Sequence, residues 1–197
     1  MNQRDALQVI AERRSIRRFQ DRPIPKRLLE EVLAYTVMAP SAKNAQPWRM
    51  VVLEGDEASQ LARMMQQRAD ELAEAGADSG SLAWTARVVA QAPVTIVLFN
   101  AAPPTEMPAR FHDDYHWVML QSTGGAIQTM LLAAQALGLG SLWICDILYI
   151  DDQVRQWLGH PEDALVAAVS LGYADEAPEA RPRRPWQEVT EWGRDSS

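Results

Sequence analysis

Two stretches of the chain hold the side chains that could do chemistry. Arg13-Arg14-Ser15-Ile16-Arg17-Arg18-Phe19 packs guanidinium groups around one hydroxyl, in a chain whose formal net charge is −7. Pro40-Ser41-Ala42-Lys43-Asn44-Ala45-Gln46-Pro47-Trp48 is a run of small and amide side chains closed by a proline and a tryptophan. Guanidinium grips phosphate oxygens through paired N–H donors, and small residues let backbone come close to a ligand. Together they describe a site for a phosphorylated, hydrogen-bonding cofactor. Arg181, Arg183 and Arg184 near the other end supply a second cationic cluster.

Other motifs carry less. Gly138-Leu139-Gly140-Ser141-Leu142-Trp143 begins like a dinucleotide fingerprint, but Trp143 stands where the last glycine belongs. It also follows a helical pattern, where the fingerprint follows a strand, and we reject it. His112 and His116 have the i, i+4 spacing of a zinc helix, yet a third ligand is missing and a solvated helix start is the default reading. Cys145 has no cationic or histidine neighbour in sequence, so a small buried thiol is expected there. Most of the seven tryptophans should be packing anchors.

The bulk numbers bound the rest. With 197 residues, 47% hydrophobic and 23% charged, the chain suits a single domain over residues 1–197. Its acidic balance argues against nucleic acid as a partner. A single cysteine fits a reducing compartment, and residues 1–14 lack the apolar core of a secretory leader. The apolar region 130–150 is interrupted by Gln135, Gly138, Gly140 and Asp146, which reads as core and not as a membrane span. A cytoplasmic location is expected.

These residues need elements to hold them. Residues 5–13 read as a short amphipathic helix. Residues 15–19 read as extended, which would put Arg13, Ser15 and Arg17 on one side and Arg14, Ile16 and Arg18 on the other. Leu28, Leu29, Val32, Leu33 and Thr36 form a helical stripe that Pro40 ends. Strands are expected at 49–53, 93–100, 141–144 and 164–171, the second buried on both faces. Helices are expected at 57–76, 115–137 and 151–158, with Asp151 as N-cap of the last. Residues 78–82 read as a mobile loop and 101–108, with three prolines, as a surface loop that could cover a site. Residues 127–137 are apolar around the circumference and should be buried on all sides. Gly124 and Gly125, within Ser122-Thr123-Gly124-Gly125, cost roughly 1–2 kcal/mol together relative to alanine, which close helix packing must offset. A homodimer spine would do so; a helix wholly internal to one subunit is the alternative. Alternating strands and helices point to a sheet layered with helices.

The 13–19 and 39–48 segments resemble the two N-terminal signatures of the FMN-dependent nitroreductase family. The likeness continues in 138–144, in Leu171-Gly172-Tyr173 and in the arginine-rich tail. The resemblance implies an α+β, three-layer α/β/α fold with a mostly antiparallel central sheet and an intertwined homodimer bearing FMN at its interface. It assigns Arg13, Arg14, Ser15 and Arg17 to FMN, with Arg17 at the pyrimidine edge, where a cation stabilises the reduced ring. Pro40, Ser41, Ala42 and Asn44 match the loop given by the other subunit. Trp143 and Ile144 match the segment against the flavin ring, and Arg181 and Arg183 the pair that takes the phosphate with Arg13. NAD(P)H would visit as co-substrate in a ping-pong cycle that ends on a nitroaromatic, quinone or related small acceptor, the flavin and not a side chain carrying the chemistry. Reductive dehalogenation, flavin destruction, ring oxidation or mere FMN binding are the alternatives. Cys145 and Asp146 stand where many relatives have a glycine near flavin N5, and Asp146 would disfavour an anionic acceptor if it faced the pocket.

Overall fold

In the computed structural model, which describes residues 6–101, 103, 110 and 112–193, four strands form one sheet. They are β1 (Trp48–Glu54), β2 (Val94–Asn100), β3 (Gly140–Ile144) and β4 (Ala164–Gly172), in the spatial order β1-β2-β4-β3. Every neighbouring pair is antiparallel. The run of Val, Ile, Leu and Phe in β2 has no polar face because both of its faces are covered: all its residues are buried. Its alternation assigns the layers. Val97 and Phe99 enter one apolar cluster, while Val94, Ile96 and Leu98 enter the other.

The helices are α1 (Ala6–Glu12), α2 (Lys26–Thr36), α3 (Gly55–Glu74), α4 (Leu82–Gln91), α5 (His112–Ala136) and α6 (Asp151–Trp157). On the Phe99 face lie Leu61 and Met65 of α3, Leu82 and Val89 of α4, and Val154 of α6. On the Ile96 face lie Leu29 and Val32 of α2 with Ile127, Met130 and Ala134 of α5. The expected three-layer arrangement with an antiparallel sheet is therefore what the residues build.

Several local expectations change. Residues 78–82 do not end in loop: Leu82 is fully buried and opens α4, a helix that β-branched Thr85, Val88 and Val89 disguised. Asp151 is not the N-cap; Ile150 holds that position, and the Asp151 carboxylate lies 3.2 Å from Nε of Arg155, one turn on. Cys145 is exposed, because it continues the outward side of β3 marked by Trp143 while Leu142 and Ile144 point in. Within 101–108 only Ala101 and Pro103 belong to the described residues, so the expected surface loop lies otherwise outside them.

Helix α5 departs most from expectation. Ile127, Met130, Leu131 and Ala134 are buried, but Gln128 is exposed and Thr129, Leu132 and Ala133 are only half-buried. A Cβ added at Gly124 or Gly125 would meet nothing within 4 Å. The described residues thus do not enclose α5, and none of them packs where a side chain on either glycine would stand. Trp117 and Val118 of α5, Leu7 and Ile10 of α1, and Tyr35 of α2 with nearby Met38 are exposed apolar side chains.

Candidate functional site

The arginine segment is mounted on the sheet by its two apolar residues. Ile16 and Phe19 are buried, and they press on bare glycines: a Cβ on Gly140 would stand 2.8 Å from Ile16 Cγ1, and one on Gly172 would stand 2.7 Å from Phe19 Cδ1. Gly140 and Gly172 are partners across the β3–β4 ladder, so together they make a flat place in the sheet. Backbone bonds fix the register. Ile16 N–H donates to the Ser141 carbonyl (2.9 Å), and Gln20 N–H to that of Tyr173 (2.9 Å). Ser15 bridges Ser141 in parallel and Phe19 bridges Ala174 antiparallel. The segment is extended, as its lost helical period implied.

Glu176 completes the mount from the other end of the chain. Its Oε1 accepts the backbone N–H of Arg17 (2.5 Å) and of Arg18 (3.2 Å), while Oε2 lies 3.6 Å from Arg18 Nε. A carboxylate aimed at consecutive amides holds the turn and draws Arg18 aside.

What remains is a cleft of about 240 Å³ lined by Arg13, Arg14, Ser15, Arg17, Pro178, Glu179, Arg181 and Arg183. Both cationic clusters meet there. Arg14 lines it too, despite the expectation from strict alternation, because its Nη1 is drawn back to the carbonyls of Ala11 (2.8 Å) and Arg13 (3.0 Å) where α1 ends. Among the described residues none of the five cleft arginines forms an ion pair with a carboxylate. Burial, then the charges of Arg183 and Arg14, push the Arg13 guanidinium below its ordinary value. Five cations against the one lining carboxylate of Glu179 leave an excess of positive charge that repels itself until an anion arrives, and bidentate donors suit phosphate oxygens. The donor set fits a phosphorylated ligand. A neighbouring cleft of about 370 Å³ shares Arg14 and Pro178 and reaches Glu12, Gly138 and Gln135.

Arg17 also reaches α4. Its Nη1 donates to the Ser15 carbonyl (3.1 Å), and its guanidinium carbon lies 5.3 Å from the ring centroid of Trp84 on α4. Neither Trp143, exposed at the outer side of β3, nor Ile144, buried in the core, lines the arginine cleft. Asp146 does not offer its carboxylate freely: Oδ2 accepts from Ser81 Oγ (2.6 Å) and Thr85 Oγ1 (2.5 Å). Burial and then Asp146 push the Cys145 thiol up, against a smaller opposing effect of a hydrogen bond from Trp143.

Pro40, Ser41, Ala42 and Asn44 do not line the arginine cleft of their own chain. Their loop rests on α5 instead, with Ala42 N–H donating to Ser122 Oγ (3.2 Å). Ser41 Oγ accepts the Gln46 N–H (3.0 Å), and its carbonyl accepts the Asn44 N–H (3.0 Å). Lys43, Asn44 and Gln46 all have positive φ, 52°, 55° and 46°. Side chains in that region cost roughly 1–2 kcal/mol each, so the loop holds a strained shape. Glu176 and Trp84 were invisible to sequence reasoning. The first sits in a tail without periodicity, and the second lies on the helix that was not expected. The described residues contain no group of three His, Cys, Asp or Glu that could hold a metal, His112 and His116 included. None of their helices is long and apolar enough to cross a membrane.

Comparison with known proteins agrees with this geometry. The model of the Nitroreductase family matches residues 10–173. A protein of Methanothermobacter thermautotrophicus, provisionally named an NADH dehydrogenase/NAD(P)H nitroreductase, is 31% identical over 90% of this chain and 81% of its own length. The 5,6-dimethylbenzimidazole synthase of Rhodobacter capsulatus is 31% identical over 97% of this chain and 96% of its own. A crystal structure from Desulfovibrio desulfuricans, provisionally a nitroreductase and solved in complex with FMN, superposes with a TM-score of 0.73 at 26% identity. It covers 97% of this chain and 98% of that one. With the sheet order, the glycine-mounted arginine segment and these likenesses in agreement, the chain belongs to the nitroreductase family.

Proposed function

We propose that the protein is an FMN-dependent oxidoreductase that takes electrons from NAD(P)H and delivers them to a nitroaromatic, a quinone or a related small acceptor. One observation carries the reading: five arginines from opposite ends of the chain line one cleft against a single lining carboxylate, Glu179, and none of the five forms an ion pair among the described residues. FMN, when bound, supplies the redox chemistry by accepting a hydride and passing electrons on. The chain's own work is binding and orientation. Arg13, Arg181 and Arg183 take the phosphate, Arg14 and Ser15 the polyol, and Arg17 the pyrimidine edge. Exposed Trp143 lies against the ring system, with Ile144 anchoring its strand.

A second copy completes the site. The strained Ser41 loop supplies Pro40, Ser41, Ala42 and Asn44 to the other subunit, which accounts for a built loop that serves no cleft at home. The uncovered face of α5, with the unused glycines Gly124 and Gly125, is the natural seam for that homodimer. The single cysteine accords with a reducing, cytoplasmic setting.

Anaerobic titration of the purified holoprotein with NADH and with NADPH, followed by an acceptor panel, tests the proposal. Bleaching of bound flavin by either nicotinamide and its recovery on adding acceptor is expected. A colourless protein that takes up no FMN overturns it. The near full-length likeness to a 5,6-dimethylbenzimidazole synthase favours a second reading, consumption of the flavin itself. Exposing reduced holoprotein to oxygen and assaying for 5,6-dimethylbenzimidazole separates the two.

A further inference from the structure

We infer that Trp84 is a positioning residue for Arg17, held in place by Asp146; the inference rests on the flavin reading above. The contacts run as a relay across the molecule. Asp146 follows β3, and one of its oxygens gathers the hydroxyls of Ser81 and Thr85 from the first turn of α4. That turn is also gripped from beneath, since Leu82 is fully buried and Thr85 nearly so. Trp84 is its outward residue, 44% exposed, and so it is no part of the core. Its ring instead meets the Arg17 guanidinium at 5.3 Å.

Arg17 is the only cleft arginine with an aromatic face against it among the described residues. The Ser15 carbonyl holds one edge of the guanidinium, and the group lies over the Trp84 ring at cation–π distance. Most of its N–H donors are left for a ligand, because a guanidinium carries several and the carbonyl occupies one. Arginine has much rotamer freedom to lose on binding, and a stacking surface removes part of it beforehand. The two hydroxyls do the same for Trp84 by fixing the turn that carries it.

The test compares wild type with Trp84→Ala, Trp84→Phe and Thr85→Val. Apoprotein is titrated with FMN by fluorescence, and the midpoint potential of bound FMN is measured in each holoprotein. A cation–π contact of this exposure corresponds to roughly a 2–5-fold change in Kd. Trp84→Ala is expected to weaken FMN by about that factor and to move the potential negative, as a cation beside the reduced ring becomes less well placed. Trp84→Phe, which keeps a ring face, should recover most of both. Thr85→Val, neutral in charge, should give a smaller loss in the same direction. Wild-type affinity and potential in Trp84→Ala, or failure of Phe to rescue, overturns the stacking role while leaving the flavin reading intact. An unchanged Thr85→Val overturns the anchoring half. Wild type that binds no FMN overturns both readings together.

Discussion

Replacing Gly140 by alanine tests the mount of the arginine segment. Gly140 has an ordinary strand conformation, so the added methyl acts only through space. It would lie 2.8 Å from Ile16 Cγ1, 3.0 Å from Cβ and 3.1 Å from Cγ2. Carbon atoms prefer roughly 3.5–4.0 Å, so Ile16 must retreat by about half an ångström or more. It cannot swing away, because it branches at Cβ and its N–H is bonded to the carbonyl of Ser141, the residue after Gly140. Overpacking of this kind costs about 1–3 kcal/mol, and the rigidity argues for the upper half of that range. For a chain of this size each kcal/mol moves the melting midpoint by roughly 2–4 °C, giving a fall of about 5–10 °C. FMN affinity of the apoprotein should fall as well, since Ser15 and Arg17 flank the displaced residue. Urea and thermal melts together with FMN titration measure both. Ile16→Ala alone should cost roughly 2–4 kcal/mol by leaving a cavity. The Gly140→Ala/Ile16→Ala pair should cost clearly less than the sum, because the new methyl occupies part of that cavity. Wild-type melting of Gly140→Ala, or strict additivity in the pair, would refute the reasoning.

Four further outcomes are expected. On the proposed homodimer, Gly125→Leu should leave a folded chain but shift sedimentation from dimer to monomer and abolish FMN retention; a dimeric variant removes α5 as the seam. Arg183→Ala should weaken FMN roughly tenfold, as loss of a charge-assisted phosphate contact predicts, and should flatten the salt dependence of binding measured at two ionic strengths. Alkylation of Cys145 should be slow at neutral pH, because the raised thiol is mostly protonated there, and should accelerate only as pH climbs through its elevated range. Asp146→Asn, which removes the neighbouring negative charge, should bring that rise to lower pH. Finally, Asp163 accepts from Arg49 Nε at 2.9 Å and lies 3.3 Å from His160 Nδ1, with 12% of its side chain exposed against 52% for Arg49. Asp163→Ala should therefore cost about 1–3 kcal/mol in urea melts and Arg49→Ala under about 1 kcal/mol.

Strands were readable because a two-sided sheet asks for uniform β-branched and aliphatic runs, as in β2 and β4. Helix α3 and helix α5 were readable from length and period. Helix α4 was not, although Leu82, Thr85, Ala86, Val88 and Val89 do follow a helical stripe once its start is known. Weak helix formers after Ser79-Gly80 masked it, and tertiary packing overrides propensity there. The arginine clusters were legible from residue type against an acidic background. Their convergence was not legible from composition alone, because it depends on Ile16 and Phe19 finding two glycines more than 120 residues away. Glu176 illustrates the remaining limit. A carboxylate in a proline-rich tail gives no local sign that it will hold two distant amides.

The bond from Arg17 N–H to Glu176 spans 159 positions of sequence. A contact of that reach forms late, since loop closure must precede it. The tail that completes the cleft follows the last strand in sequence, so its docking depends on a sheet whose residues all precede it. A released chain cut before Glu176 would keep every strand of the sheet and yet lack Arg181, Arg183 and the carboxylate that holds Arg17 and Arg18. Flavin titration of such a truncated chain would then report the tail's share of the site, since the sheet residues are all present and only the tail's donors are gone.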